Sequence, residues 1–498
     1  MGQIFQWDDW GYRSAFALLC FVPFSLWLFR RERATRAGAH VLIWAMMWLP
    51  EEAAFDFPAL PPFTKYSIAA LCAFAGLYWT ARRRLRAAKI GRGYDLIVLA
   101  MLLGQIGAVL TNGDPLSYGS WKTIHLPAYT AYDGVSTAVR DVVTVLVPLI
   151  LGRALIRSRR DLHDVLLVLV IGGLVYSLPI FWELRMSPML HHNIYGFFPR
   201  DDWSQNLRLG GYRPTVFMGH GLVVGFFMFL SVTAAIILHK AGKRALWGVP
   251  MVYIIAYLFV VLVLVKATAA VLYALVGLCL IRLLTIKNQM RVMLLLAFVV
   301  VSYPLARITN VFPTDSVLSV AKSFGADRVQ SLQFRFDNED LLVLKGAERW
   351  FFGWGGFGRE RVYDEETGKD LVIQDGAWIA QFGTHGTLGF LCYFAVLILP
   401  LWQAARGMKR VRSQTDRTLL AGLSFIVTVC CVNTLPNMSL PNLQFVFAAA
   451  LAVVVKEMPR RAAQLNPPSK AREVPAQSGI PAPPLPAHAS RGPQRGYG

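Results

Sequence analysis

Charge is scarce in this chain: Asp, Glu, Lys and Arg make up 16% of its residues, against 55% for the hydrophobic set. So little polar surface cannot cover a soluble protein of 498 residues, and that class is excluded. Cysteine is scarce as well. All six, Cys20, Cys72, Cys279, Cys392, Cys430 and Cys431, lie inside apolar stretches and read as small packing residues; no secreted disulfide framework and no metal-ligating spacing is present. The N-terminal MGQIFQWDDWGYRS lacks the basic segment that opens a signal peptide, so the first apolar run is expected to stay as a membrane anchor.

What the chain has instead is a succession of long apolar runs. Thirteen of them, near 14–29, 38–54, 64–81, 95–112, 138–155, 163–182, 215–238, 246–264, 267–284, 291–307, 376–402, 417–434 and 440–456, have the length that carries a helix across the hydrocarbon core. The sequence therefore predicts an all-α fold, a polytopic transmembrane bundle of about thirteen helices. The net charge of +20 follows topology: basic clusters at 30–36, 82–92, 153–160, 240–244, 282–291 and 406–417 fall at every second junction. By the positive-inside rule the N-terminus is outside and the C-terminus cytoplasmic. No nucleic acid is expected as a partner, because no aromatic and basic patch accompanies the charge. The stretch 459–498, rich in Pro, Ala and Arg, has the composition of a disordered cytoplasmic tail.

With that orientation the two long outer connections are 183–214 and 308–375, and connections of this length carry structure or function of their own. In the second, SVLSVAKSFGADRVQSLQFRF and DNEDLLVLKGAERWFF have helical apolar spacing, with Asp337 as the N-cap of the latter, so a helical periplasmic loop region is expected. GWGGFG at 353–358 then calls for a tight turn or a close backbone approach. The basic residues of this loop sit among carboxylates and mostly read as a self-paired surface.

Five residues carry a chemical reading beside a structural one. Arg213, in GGYRPTVFMGHG, stands just before an apolar run, where it either snorkels to headgroups or grips an anion through its planar fork of donors. Arg335, in SLQFRF, sits among Leu332, Phe334 and Phe336, and a guanidinium held there wants a fixed anionic partner. Lys266, at the turn between the eighth and ninth runs, snorkels or adds to a cationic site. Asp375 opens the eleventh run as a helix cap or a proton acceptor, and His220, one or two turns into the helix that Arg213 begins, is a satisfied core histidine or a second proton acceptor. His191, His192 and His385 are weaker candidates. DNED at 337–340 reads as capping in preference to a Mg²⁺ site.

RPTVFMGHGLVVG, the lysine in LVKATAAVLY, SLQFRF with AERWFFGWGGFG, and QDGAWIAQFGTHGTLGF follow one another on the outer side. In that order they resemble the O-antigen ligase and Wzy-type polysaccharide polymerase superfamily, over residues 207–395. The resemblance implies a catalytic region at 207–395 that includes the periplasmic loop 308–375, flanked by N-terminal helices in 1–206 and C-terminal helices in 396–458. It also implies a metal-independent, inverting glycosyltransferase of the bacterial inner membrane, with no cofactor, working at the periplasmic face. Its donor would be an undecaprenyl-diphosphate-linked oligosaccharide, and its acceptor a sugar hydroxyl on another repeat unit or on lipid A core. The lipid bilayer and chain-length regulator or export proteins would be its other partners. By the resemblance Arg213 and Arg335 hold the donor diphosphate, and Lys266 falls where many members carry a basic residue.

Two departures bear on the choice within the superfamily. Ligases often open the eleventh-helix motif with His-Asn, where this chain has Asp375-Gly376, and the His-Pro before the Gly-x-Gly turn is replaced by Arg349-Trp350-Phe351-Phe352. The aspartate variant looks more like exopolysaccharide polymerases than ligases, and the departures leave no histidine general base at those positions. The chemistry asks for little more: a diphosphate leaves readily once cations stabilise it, and Asp375, then His220, are the candidates to take the acceptor's proton. The competing readings are a ligase, a non-catalytic assembly subunit, and a secondary transporter, which would place its ionisable residues near the bilayer midplane in paired short segments.

Overall fold

The computed structural model describes residues 11–465 except 58–59, 89–91, 121–123, 200–202, 209, 324, 438–439 and 441. Each of the thirteen apolar runs overlaps helical structure, the run at 138–155 crossing two helices joined by a π-helical turn at Val142–Leu146. In order the helices are α1 (Gly11–Arg31), α2 (Ala34–Trp48), α3 (Lys65–Thr80), α4 (Arg82–Ala87), α5 (Arg92–Thr111), α6 (Ala131–Asp141), α7 (Val147–Leu155), α8 (Arg159–Met186) and α9 (Leu190–Tyr195). They continue as α10 (Gly221–Lys240), α11 (Met251–Leu264), α12 (Thr268–Leu283), α13 (Ile286–Ile308), α14 (Thr314–Lys322), α15 (Ala326–Glu348), α16 (Ala377–Gly407), α17 (Gln414–Asn433) and α18 (Leu443–Leu465). Among the described residues seven helical stretches are long and apolar enough to cross a membrane, and three shorter apolar helices accompany them. The protein is a membrane-embedded helical bundle. The described residues up to Pro459 belong to one compact unit. α18 runs past the expected tail boundary at 459 to Leu465; the rest of the expected disordered tail lies outside the described residues.

α10 is the central helix. Every residue from Val224 to Leu238 is buried, because the segment is apolar on all sides and is covered by α8, α11, α12 and α17. Small residues set how closely those neighbours come: a Cβ on Gly225 would lie 2.2 Å from that of Ala267, and one on Gly173 would lie 2.6 Å from that of Ser231. At one face of the bundle the basic helix ends meet acidic helix starts, with Arg33 2.5 Å from Asp164, Arg84 3.3 Å from Asp161, and Arg157 on Glu457. The opposite face carries the long connections.

On that loop face the structure corrects two expectations. The helix break expected at Asp337 lies instead at Gly325, whose φ of 111° a residue with a Cβ rarely adopts. α15 runs unbroken through DNED, so Asp337 is an interior residue that accepts a 2.6 Å bond from Gln333 one turn back, and caps nothing. The seventh run starts its helix later than expected: 213–220 is irregular, with Val216 at φ 46° and Gly219 at φ 68°, and the helix begins at Gly221.

α16 is kinked at Gly386 (φ 64°, ψ −165°), where the 349–358 segment inserts against it. Trp354 and Gly355 donate to the carbonyls of Gly383 and Thr384, and Thr387 and Leu388 donate back to Trp350 and Phe351. The kink frees these groups, and the glycine-rich segment satisfies them. A Cβ at Gly386 would lie 2.4 Å from the Phe351 carbonyl oxygen. Gly386→Ala should therefore cost about 1–3 kcal/mol, read as a lower thermal unfolding midpoint in detergent. Gly210→Ala, at φ 68° but with open space around it, should cost less; equal midpoints for the two variants would contradict the close-approach account.

Candidate functional site

The segment that carries Arg213 is held by polar side chains of its neighbours. Glu183, near the end of α8, accepts the N–H groups of Thr215 and Val216, each at 2.8 Å, and that of Leu190 at 3.1 Å. Tyr176, two turns earlier, accepts the N–H of Phe217 at 3.1 Å. Lys65 opens α3 with its side chain 1% exposed; its amine reaches the Phe217 carbonyl at 2.6 Å and the Glu51 carboxylate at 2.9 Å. His191 accepts the Glu51 N–H at Nε2 and meets the Phe197 carbonyl with Nδ1, so the neutral ring serves both bonds. Irregular backbone inside an apolar bundle is tolerated only when its groups are satisfied in this way.

Arg213 itself is 4% exposed. It lies against the first turn of α10, so closely that a Cβ on Gly221 would be 2.5 Å from its Nε. That Nε has no hydrogen-bond partner among the described residues, and no carboxylate is paired with the guanidinium. Burial, with the charge of Arg208 second, lowers Arg213 to about 10, so it stays protonated at neutral pH. Among the described residues the other buried arginines, Arg307 and Arg359, each have a carboxylate partner, although the Arg359 Nε is likewise without a hydrogen bond. Arg307 is bound by Glu339 at 3.1 Å and Asp340 at 2.7 Å, and Arg359 donates to the carbonyls of Pro127 and Asp114.

Lys266 sits in the turn between α11 and α12 at φ 59°, and its amine stands 2.6 Å from where a Cβ on Gly211 would be. The structure thus brings Lys266 to the segment that leads into Arg213. Arg335, on α15, pairs with Asp375 at 3.5 Å, the anionic partner its surroundings called for. Both remain partly exposed, at 37% and 44%. They line a pocket with Asn338 and Gly376 whose volume, 20 Å³, admits a water-sized group only, so a larger ligand meets the pair from its exposed side. The Arg335 charge also acts on Tyr273 of α12, whose ring packs on Phe226 and Phe229 of α10. Arg213, Lys266 and the Arg335–Asp375 pair therefore border the loop-face end of α10 and α12, and no contact joins that pair to Arg213 or Lys266 among the described residues.

His220 is placed differently from expectation. It is the N-cap of α10, and its Nδ1 accepts the Leu222 N–H at 2.9 Å. Its Nδ1 is thus engaged at the helix end, and a proton taken there would displace the cap. In DNED, Glu339 and Asp340 hold Arg307, and Glu339 also accepts from Tyr303 and Trp378. Much of the remaining loop charge is self-paired: Arg349 with Asp114, Lys345 with Glu348, and Arg361 with Asp370.

Sequence reasoning missed Glu183, Lys65 and Glu51. Their signal was present as charges embedded in FWELRM, PPFTKYS and WLPEEAAF, at the ends of apolar runs. It also missed the buried pair of His385 with Asp141, 3.5 Å apart, which ties α16 to α6.

Two outcomes follow. Glu183→Ala leaves three N–H groups unsatisfied, so amide exchange at Thr215 and Val216 should rise by at least tenfold in the purified protein, with about 1–3 kcal/mol lost. Protection unchanged at those two amides would rule out the pinning role. His191 is lowered from 6.5 to about 4, chiefly by burial. Below pH 6.5 the unfolded chain takes up a proton there that the folded one refuses. Stability should thus fall by about 3 kcal/mol between pH 6.5 and 4 from this group, with no contribution above pH 7. His191→Asn should flatten that part of the pH–stability curve.

Compared with protein-family models and with curated proteins, the chain matches none. Its chemistry has to be argued from its own residues.

Proposed function

We propose that the protein is a membrane glycosyltransferase that polymerises undecaprenyl-diphosphate-linked oligosaccharide repeat units, as its resemblance to the O-antigen ligase and Wzy-type polymerases implies. In this proposal it lies in the bacterial inner membrane with its loop face in the periplasm. The observation that carries the proposal is Arg213, a buried guanidinium with no carboxylate partner among the described residues, where the buried Arg307 and Arg359 each have one. Burying a charge without a counter-ion is costly, and a bound diphosphate removes that cost.

In the reaction an acceptor hydroxyl attacks the anomeric carbon of the donor sugar from the side opposite the diphosphate. The new C–O bond forms as the old one breaks, and the electron pair leaves with undecaprenyl diphosphate. Arg213, Lys266 and Arg335 take up the charge that develops on the phosphate oxygens, as Mg²⁺ does in other phosphate sites. The hydroxyl proton passes to the Asp375 carboxylate, which is exposed enough to meet an acceptor. One displacement inverts the configuration. A ligase would use the same machinery with lipid A core as acceptor.

Reconstitution with a defined lipid-linked oligosaccharide as the sole substrate separates these outcomes. The polymerase should lengthen the glycan and release lipid diphosphate, with and without EDTA, while a ligase makes no longer chain. Arg213→Ala should lower turnover by about 10²–10³-fold. Arg213→Met, which removes the buried charge and keeps much of the volume, should raise the unfolding midpoint of the substrate-free protein by about 1 kcal/mol equivalent while remaining inactive. Normal chain length in either variant would overturn the diphosphate role.

A further inference from the structure

On the basic face some cations are paired with carboxylates and others, Arg83 and Arg86 among them, have no carboxylate partner among the described residues. Arg33 and Arg36 are held by Asp164, Arg84 by Asp161, Arg157 by Glu457 and Arg159 by Asp416. The cations around the ends of α10 and α12 are of the second kind and surround a cavity. Among the described residues Lys240, Arg244 and Arg282 have no carboxylate partner; Lys240 donates to the Ile281 carbonyl, and the Lys240 and Arg282 charges oppose each other. With His239 these three rim a slot of 540 Å³ between α10, α11 and α12.

Below the rim the slot is apolar. Val232, Ile236, Phe259 and Leu278 form walls that run from Val232 to Lys240 on α10 and from Ala274 to Arg282 on α12, about 12 Å at 1.5 Å per residue. No acidic residue lines it. Ala256 and Leu275 are exposed and Ile255 and Phe259 partly so, which opens the slot sideways onto the surface that the bilayer covers. A second groove, of 410 Å³ between α13 and the end of α16, repeats the composition with Lys287, Arg291, Lys409 and Arg417 above Met290 and Leu294.

We propose that the α10–α12 slot binds one anionic phospholipid of the leaflet at the basic face, with an acyl chain in the apolar part and the phosphate among Lys240, Arg244 and Arg282. Hydrocarbon lining a slot that opens into the bilayer is satisfied by a lipid tail. Unpaired cations at headgroup depth favour an anionic lipid, while a zwitterionic one brings its own ammonium into a rim that already repels itself. The slot lies at the opposite end of α10 and α12 from Arg213, so the proposal does not depend on the reaction assigned above.

Native mass spectrometry of the full-length protein, equilibrated in detergent with equimolar phosphatidylglycerol and phosphatidylcholine, tests this. The wild-type protein should retain one phosphatidylglycerol in preference. Arg244→Gln with Arg282→Gln should reduce that retention by at least roughly tenfold, given the worth of a cation near an anionic headgroup. Ala256→Trp, at an exposed position with every charge kept, should displace the lipid by filling the slot. Arg83→Gln with Arg86→Gln, which removes the same charge from an exposed site on the same face, should leave retention unchanged. Equal retention of the two lipids, undiminished retention in Ala256→Trp, or an equal loss in the Arg83 and Arg86 variant would each overturn the proposal.

Discussion

Three backbone N–H groups end on one carboxylate, that of Glu183, and the shape of the loop face around Arg213 depends on it. In an apolar surrounding a chain leaves the helix only where its polar groups find other partners. Residues 215–217 find them on Glu183, Tyr176 and Lys65, so α10 begins at Gly221 and not near 215. Had the helix continued outward, Arg213 would ride on its surface a turn or two further from the core. The irregular path instead turns the guanidinium back against Gly221 and buries it. Local unsatisfied hydrogen bonding is thereby converted into a placed charge.

A second junction does the same for Arg335 and Asp375. Glu339 collects Arg307 and Tyr303 from α13 and the Trp378 indole from α16, and it stands one turn from Arg335 on α15. Asn338 meanwhile accepts the Ile373 N–H at 2.7 Å, which holds the segment that leads to Asp375. The approach of Arg335 to Asp375 is thus set by partners on either side of it. α15 as a single helix is part of this arrangement. A break at Asp337 would separate Arg335 from Glu339 and Asn338, which now share one rigid element with it.

Hydropathy made the helices legible, because each apolar run had to find a helix in the absence of water. The pairing of Arg335 was legible too, since SLQFRF left a cation among apolar neighbours. What escaped the sequence were contacts between residues far apart along the chain. Lys65 meeting Glu51 and Phe217, or His385 meeting Asp141, has no periodic signature. The break at Gly325 was hidden by apolar spacing that reads across it, and the late start of α10 was hidden because Val216, Phe217 and Met218 look like helix interior. The placing of His220 inside the helix followed from the same error: once the helix starts at Gly221, the residue before it caps the end through Nδ1.

Lys266 shows why the cationic reading of this face has weight beside the interfacial one. Its φ of 59° lies in the left-handed region, where glycine or asparagine is favoured and another residue is strained by roughly 1–2 kcal/mol. The turn is tight because Gly225 lets Ala267 lie against α10, so the backbone conformation is set by packing and not by the side chain. A lysine that only snorkels gains nothing from occupying the one strained position when its neighbours on the helix ends reach the same depth. Placed there, its amine is directed at Gly211, whose missing Cβ leaves room for it two residues from Arg213. A cation buried without a carboxylate partner, with a second cation on the turn that meets its segment, is more stable with an anion beside it than without one, which is the physical ground for the diphosphate chemistry proposed for this face.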